Sequence, residues 1–156
     1  AITIGNHFGI SASEIKEAIE SYIPENNRSQ LITKNSNEII LDAYNANPSS
    51  MKVALENFIQ LDKTNKITIL GDMYELGEES LAEHKYIIDF LAKNSSFECY
   101  FIGKDFFKNN IENPNFHFYE NFEQFKKALE NKNWQNNTIL IKGSRGMALE
   151  RTLEYI

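Results

Sequence analysis

The sequence predicts an α/β fold: a Rossmann-like, three-layer domain built on a mostly parallel sheet of about six strands, with one antiparallel hairpin at its edge. Three observations carry this. Short apolar runs alternate along the chain with stretches of helical periodicity, the pattern of parallel strands joined by crossover helices. The runs "QLITK" (30–34) and "EIIL" (38–41) instead flank only the turn-like "NSN", which leaves room for a hairpin and none for a crossover. Charged residues beside glycine recur just past the apolar runs, where α/β sheets bind their ligands.

The elements follow in order. Ser11 can cap a first helix on Ile15, Ala18, Ile19 and Tyr22, spaced i, i+3, i+4, i+7, and Pro24 with the polar "ENNRSQ" ends it. Residues 1–25 therefore read as an appendage and residues 26–156 as the domain. After the hairpin, Met51, Ala54, Leu55 and Phe58 repeat at helical spacing, with Asn47 as N-cap and Pro48 in the first turn. "KITIL" (66–70) reads as a buried strand, and a helix follows from Ser80 to Lys93 on Leu81, Lys85, Ile88, Leu91 and Ala92. "ECYFI" (98–102) and "NFHFY" (115–119) are strands, and Phe122, Phe125 and Leu129 mark a further helix. "TILI" (138–141) is the last strand, and a closing helix runs from Met147 to Tyr155.

Composition narrows the function. The chain has 156 residues, enough for one domain of ordinary size, and a formal net charge of -6. With no basic stripe, it is expected to bind no nucleic acid. No apolar run approaches the roughly 18 residues of a membrane span, so no membrane insertion is expected. The single cysteine, Cys99, has no partner for a disulfide and fits a reducing compartment, with the cytoplasm as the expectation. The opening "AITIGNHF" starts in apolar residues without Met, which suggests a piece of something longer.

Four loops leave the carboxyl ends of predicted strands: "DAYNANPSS" (42), "GDMYELGEE" (71), "GKDFF" (103) and "KGSRGM" (142). Asp42 can accept hydrogen bonds from ribose hydroxyls, or it caps a turn or the following helix. "KGSRGM" places Lys142 and Arg145 beside a helix start, which suits a carboxylate or phosphate, or else Ser144 caps that helix among surface cations. Asp72 either orients an amine or a neighbouring cation, or makes a structural hydrogen bond. "GKDFF" reads as a solvated turn and His84 as a packed residue. Neither G-x-G-x-x-G nor G-x-x-x-x-G-K-[ST] occurs, which argues against a self-contained nucleoside triphosphate site. His7 and His117 share no ligand spacing, and no metal site is expected.

Taken together and in this order, "NNRSQ", "LDAYNANPSSM", "LGDMYELGEESLAEH" and "LIKGSRGMALE" resemble the C-terminal domain of the Mur ligases, in the branch that adds D-alanyl-D-alanine. The resemblance spans residues 26–156, and "AITIGNHFGISASEIKEAIESYIP" resembles the tail of the family's central domain. It implies an ATP-dependent, ADP-forming amide ligase of peptidoglycan synthesis. In such an enzyme the carboxylate of UDP-N-acetylmuramoyl-tripeptide is activated as an acyl phosphate and attacked by the amine of D-Ala-D-Ala. It implies too that the P-loop and the Mg2+ ligands lie on the central domain, that the UDP group is held by the N-terminal domain, and that residues 26–156 are inactive alone. Residue by residue, the resemblance assigns Asp42 to the ATP ribose, Arg28 to the phosphates and Asn45 to the adenine side. It assigns Lys142, Ser144 and Arg145 to the dipeptide carboxylate and leaves Asp72 as a candidate for the incoming amine. The other reading of the residues is a free-standing α/β binding module without catalysis.

Overall fold

The computed structural model describes residues 1–22, 27–130 and 132–156. Its centre is a six-stranded sheet in the order β1-β2-β6-β3-β4-β5. The strands are β1 (Gln30–Lys34), β2 (Asn37–Asp42), β3 (Lys66–Gly71), β4 (Glu98–Ile102), β5 (Phe116–Tyr119) and β6 (Thr138–Lys142). Only β1 with β2 is antiparallel; every other neighbouring pair is parallel. The hairpin loop has two residues, Asn35 (φ 48) and Ser36 (φ 64), both left-handed as a type I′ turn requires.

Side chains alternate across the sheet and divide the core in two. Ile39, Leu41, Ile69, Tyr100, Ile139 and Ile141 face α6 (Phe122–Leu129) and the closing segment that carries Leu149. Leu70, Phe101 and Leu140 face the opposite way, against α3 (Pro48–Gln60), α4 (Ser80–Asn94) and α5 (Lys104–Lys108). Helices on both faces leave all five residues of β6 buried, and this accounts for its continuous apolar run. α3 opens on Asn47, whose Oδ1 accepts from the Ser50 N–H at 2.8 Å, with Pro48 at the first helical position.

At the N-terminus, α1 (Ile2–His7) is followed by α2 (Ala12–Glu20), which Ser11 and Glu14 cap reciprocally. Neither helix contributes a residue to the two core clusters. The boundary expected at residues 24–26 lies outside the described residues. Among the described residues, no helix is long and apolar enough to cross a membrane.

Two elements differ from expectation. "GKDFF" is the short helix α5, not a solvated turn, because Phe106 is fully buried and the helix start is capped from elsewhere in the chain. The closing helix is two 3-10 turns, Arg145–Met147 and Leu149–Tyr155, hinged at Ala148, whose left-handed backbone (φ 48, ψ 46) interrupts any α-helical path.

Candidate functional site

The parallel strands deliver Asp42, Gly71, Ile102 and Lys142 to one edge of the sheet, at the carboxyl ends where α/β folds place ligands. Two groups of residues form there.

The first gathers at the end of β2. Parallel pairing of β2 with β6 sets Asp42 opposite Lys142. The Lys142 ammonium, on a residue only 2% exposed, donates to Asp42 Oδ2 at 2.5 Å and to the Asn45 carbonyl at 3.1 Å. The other Asp42 oxygen accepts from the Ser29 N–H at 3.2 Å, and the Tyr44 N–H donates to the Asn27 carbonyl at 3.2 Å. The strand end thereby holds the 27–29 segment, in which Asn27 (φ 59) and Ser29 (φ 46) both take left-handed backbone. The exposed Arg28 guanidinium lies 3.9 Å from the centre of the exposed Tyr44 ring, a cation–π contact. Asn45 is exposed beside them, its Oδ1 accepting from the Ala46 N–H at 2.8 Å.

The second group forms around Asp72, directly after β3. Its carboxylate accepts the Asp105 N–H at 3.1 Å and the Phe106 N–H at 3.0 Å, capping α5. Gly103 must be glycine here: its φ is +130, and a Cβ would lie 2.2 Å from Asp72 Cγ. Burial holds the Asp72 carboxyl above its ordinary pKa, outweighing the two N–H bonds that favour the carboxylate. His84, fully buried, accepts the Met73 N–H on Nε2 at 2.9 Å. That bond puts the ring proton on Nδ1, which donates to the Ser80 carbonyl at 2.6 Å. With Nε2 unprotonated, its 3.5 Å approach to Asp72 Oδ1 is a contact and not an ion pair. Ser144 closes the group, its N–H donating to the Asp72 carbonyl at 3.2 Å and its Oγ accepting from the Tyr74 N–H at 2.8 Å.

Asp72, His84 and Asp105 each bring a ligand-type atom within 4.8 Å of the others. The Asp72 oxygens and His84 Nε2 already accept N–H donors, while the Asp105 carboxylate accepts from the Ser80 hydroxyl at 2.6 Å, so the trio is a hydrogen-bond network whose imidazole member does not suit the all-oxygen shell of Mg2+. Beside it opens a crevice of about 460 Å³, with Asp72, Tyr74, Lys104, Asn121 and Arg151 on its walls. The Arg151 guanidinium stacks on Phe122 at 3.8 Å.

The structure thus brings Arg28, Asp42 and Asn45 together, as expected, and joins Asp72 to Ser144. Arg145 does not line the crevice; it is exposed and paired with Glu150 at 2.7 Å. Lys142 moves between groups: expected beside Ser144 and Arg145, it is buried against Asp42 because strand register turns it that way. Sequence reasoning missed Lys104, Tyr74 and Arg151. The strand-end Gly-Lys was the one available signal for Lys104, while Arg151 enters the crevice only through the 3-10 path of the closing segment.

With this geometry in hand, comparison with known proteins is informative. The Mur ligase, glutamate ligase domain matches residues 27–145. A UDP-N-acetylmuramoyl-tripeptide–D-alanyl-D-alanine ligase of Rickettsia prowazekii is 32% identical over 134 residues, covering 82% of this chain and 29% of that protein. A crystal structure of MurF from Acinetobacter baumannii superposes with a TM-score of 0.79 at 25% identity, over 98% of this chain and 34% of that one. MurF of Thermotoga maritima, solved in complex with ADP, shares the fold with a TM-score of 0.76 at 23% identity, over 99% of this chain and 35% of its own. The chain spans about a third of the length of these relatives. The family match covers most of the chain and the superposition agrees with it, and the chain belongs to the Mur ligase family as its C-terminal, glutamate ligase domain.

Proposed function

We propose that this domain works within a cytoplasmic, ATP-dependent, ADP-forming ligase that joins D-Ala-D-Ala to UDP-N-acetylmuramoyl-tripeptide in peptidoglycan synthesis. The single observation that carries the nucleotide part is the convergence of Asp42, Arg28 and Tyr44 at the end of β2. Asp42 retains acceptor capacity for ribose hydroxyls, since a carboxylate offers about four lone-pair sites and two are in use. Arg28 offers donors to phosphate oxygens, and Asn45 an amide to the base. The crevice beside Asp72 receives the dipeptide, with Ser144 and Arg145 toward its carboxylate and Asp72 toward its amine. Mg2+, the P-loop and the UDP group are left to the remaining parts of the longer enzyme, inherited here from the family resemblance.

In this reading the domain contributes position and charge, the two things an acyl-phosphate reaction most needs from a protein. Phosphate release from ATP by the full-length protein tests it. Release is expected to require both UDP-MurNAc-tripeptide and D-Ala-D-Ala, and to be absent with residues 1–156 alone. Asp42→Asn, which keeps an acceptor near Lys142, should lower kcat/KM for ATP about tenfold, or about 1.4 kcal/mol. Ala is the poorer choice, because it strands a buried ammonium. No release from a folded full-length protein would favour the free-standing binding module.

A further inference from the structure

We infer that Lys142 is a positioning residue for the nucleotide subsite, acting through Asp42, and not a ligand of the dipeptide. The inference rests on the nucleotide reading of Asp42 given above. An ammonium that is 2% exposed persists only if its charge is matched nearby, and the matching charge among the described residues is Asp42. Lys142 has three N–H donors; Asp42 Oδ2 takes one and the Asn45 carbonyl another. These two bonds fix the start and the turn of the 42–45 loop.

The opposite carboxylate oxygen is tied to the Ser29 N–H, one residue beyond Arg28. One buried cation on the central strand β6 therefore sets the carboxylate proposed for the ribose, the carbonyl of Asn45 and, through Asp42, the segment that carries Arg28. Reaching a dipeptide carboxylate would require the buried ammonium to leave Asp42 and abandon a partly buried acid. That exchange is unfavourable unless the incoming group fills the same place.

Kinetics of the full-length ligase test the inference, with Lys142→Met, Asp42→Asn, the double variant and Lys142→Arg. Lys142→Met is expected to raise KM for ATP about tenfold while KM for D-Ala-D-Ala stays within about twofold. The double variant should be no worse for ATP than Asp42→Asn alone, because both changes remove one interaction. Lys142→Arg, which keeps the charge, should recover part of the ATP affinity. Should Lys142→Met fail to fold, the double variant, which leaves no lone buried charge, carries the same comparison with Asp42→Asn. A rise in the dipeptide KM with the ATP KM unchanged overturns the inference and returns Lys142 to the dipeptide. Lowered stability with both KM values unchanged overturns it too, leaving a purely structural ion pair. If Asp42→Asn itself leaves the ATP KM unaltered, the nucleotide reading fails first and takes this inference with it.

Discussion

Asp72 shows how one side chain can be both a cap and a titrating group. Its two oxygens receive the N–H groups of the second and third residues of α5, so Asp72→Asn leaves one amide facing an NH2 group, a loss of about 1–3 kcal/mol. The size of that loss should vary with pH. Burial raises the native carboxyl above the 3.8 of a free Asp, so the native state binds the proton more tightly than the unfolded chain. The resulting stability is complete below the unfolded value and is lost as pH rises through the native one. Wild type should therefore lose part of its advantage over Asp72→Asn as pH climbs out of the acidic range. Urea unfolding of both proteins from about pH 3 to about pH 7 checks this, and a constant difference would remove burial as the dominant cause. Position alone made Asp72 and Asp42 readable in the sequence, since both follow an apolar run. The partners of Asp72 were hidden, lying 33 and 34 residues away on a helix too short to announce itself.

Among the elements, α3 was the most legible and α5 the least. "NPSSM" holds a cap, a first-turn proline and the first core residue within five positions, and each does in the structure what its chemistry suggests. Asn47→Ala should lower stability by about 1 kcal/mol, seen as a shifted denaturant midpoint with an unchanged slope. A shift near zero would mean that Pro48 and packing of Met51, Leu55 and Phe58 hold the helix start without the cap. α5 has only five residues, fewer than helical periodicity needs to show, and it depends on Asp72 to cap it and on Phe106 to anchor it. The closing segment misled for a related reason. Apolar spacing there suggested a helix, but Leu149 reaches the core only through the left-handed turn at Ala148.

For the molecule as a whole, Cys99 is a built-in reporter. It is fully buried in β4, and burial pushes its thiol up to about 11, so thiol reagents should label the native protein at about pH 8 only as fast as it unfolds. Denaturant should accelerate labelling in step with loss of structure; a rate indifferent to denaturant would reveal local opening around β4 instead. Alternation of strands and helices, the I′ hairpin, the caps and the acids at strand ends were all written locally, within spans that periodicity and turn chemistry can register. The order of the sheet was not. β6 inserts between β2 and β3, and it thereby joins Lys142 to Asp42 across 100 residues of sequence. Sequence by itself determined an α/β Mur ligase domain with an acid at the end of β2. Tertiary structure alone decided which cation that acid holds, because a parallel strand turns its side chains by register, and register exists only once the neighbouring strands have paired.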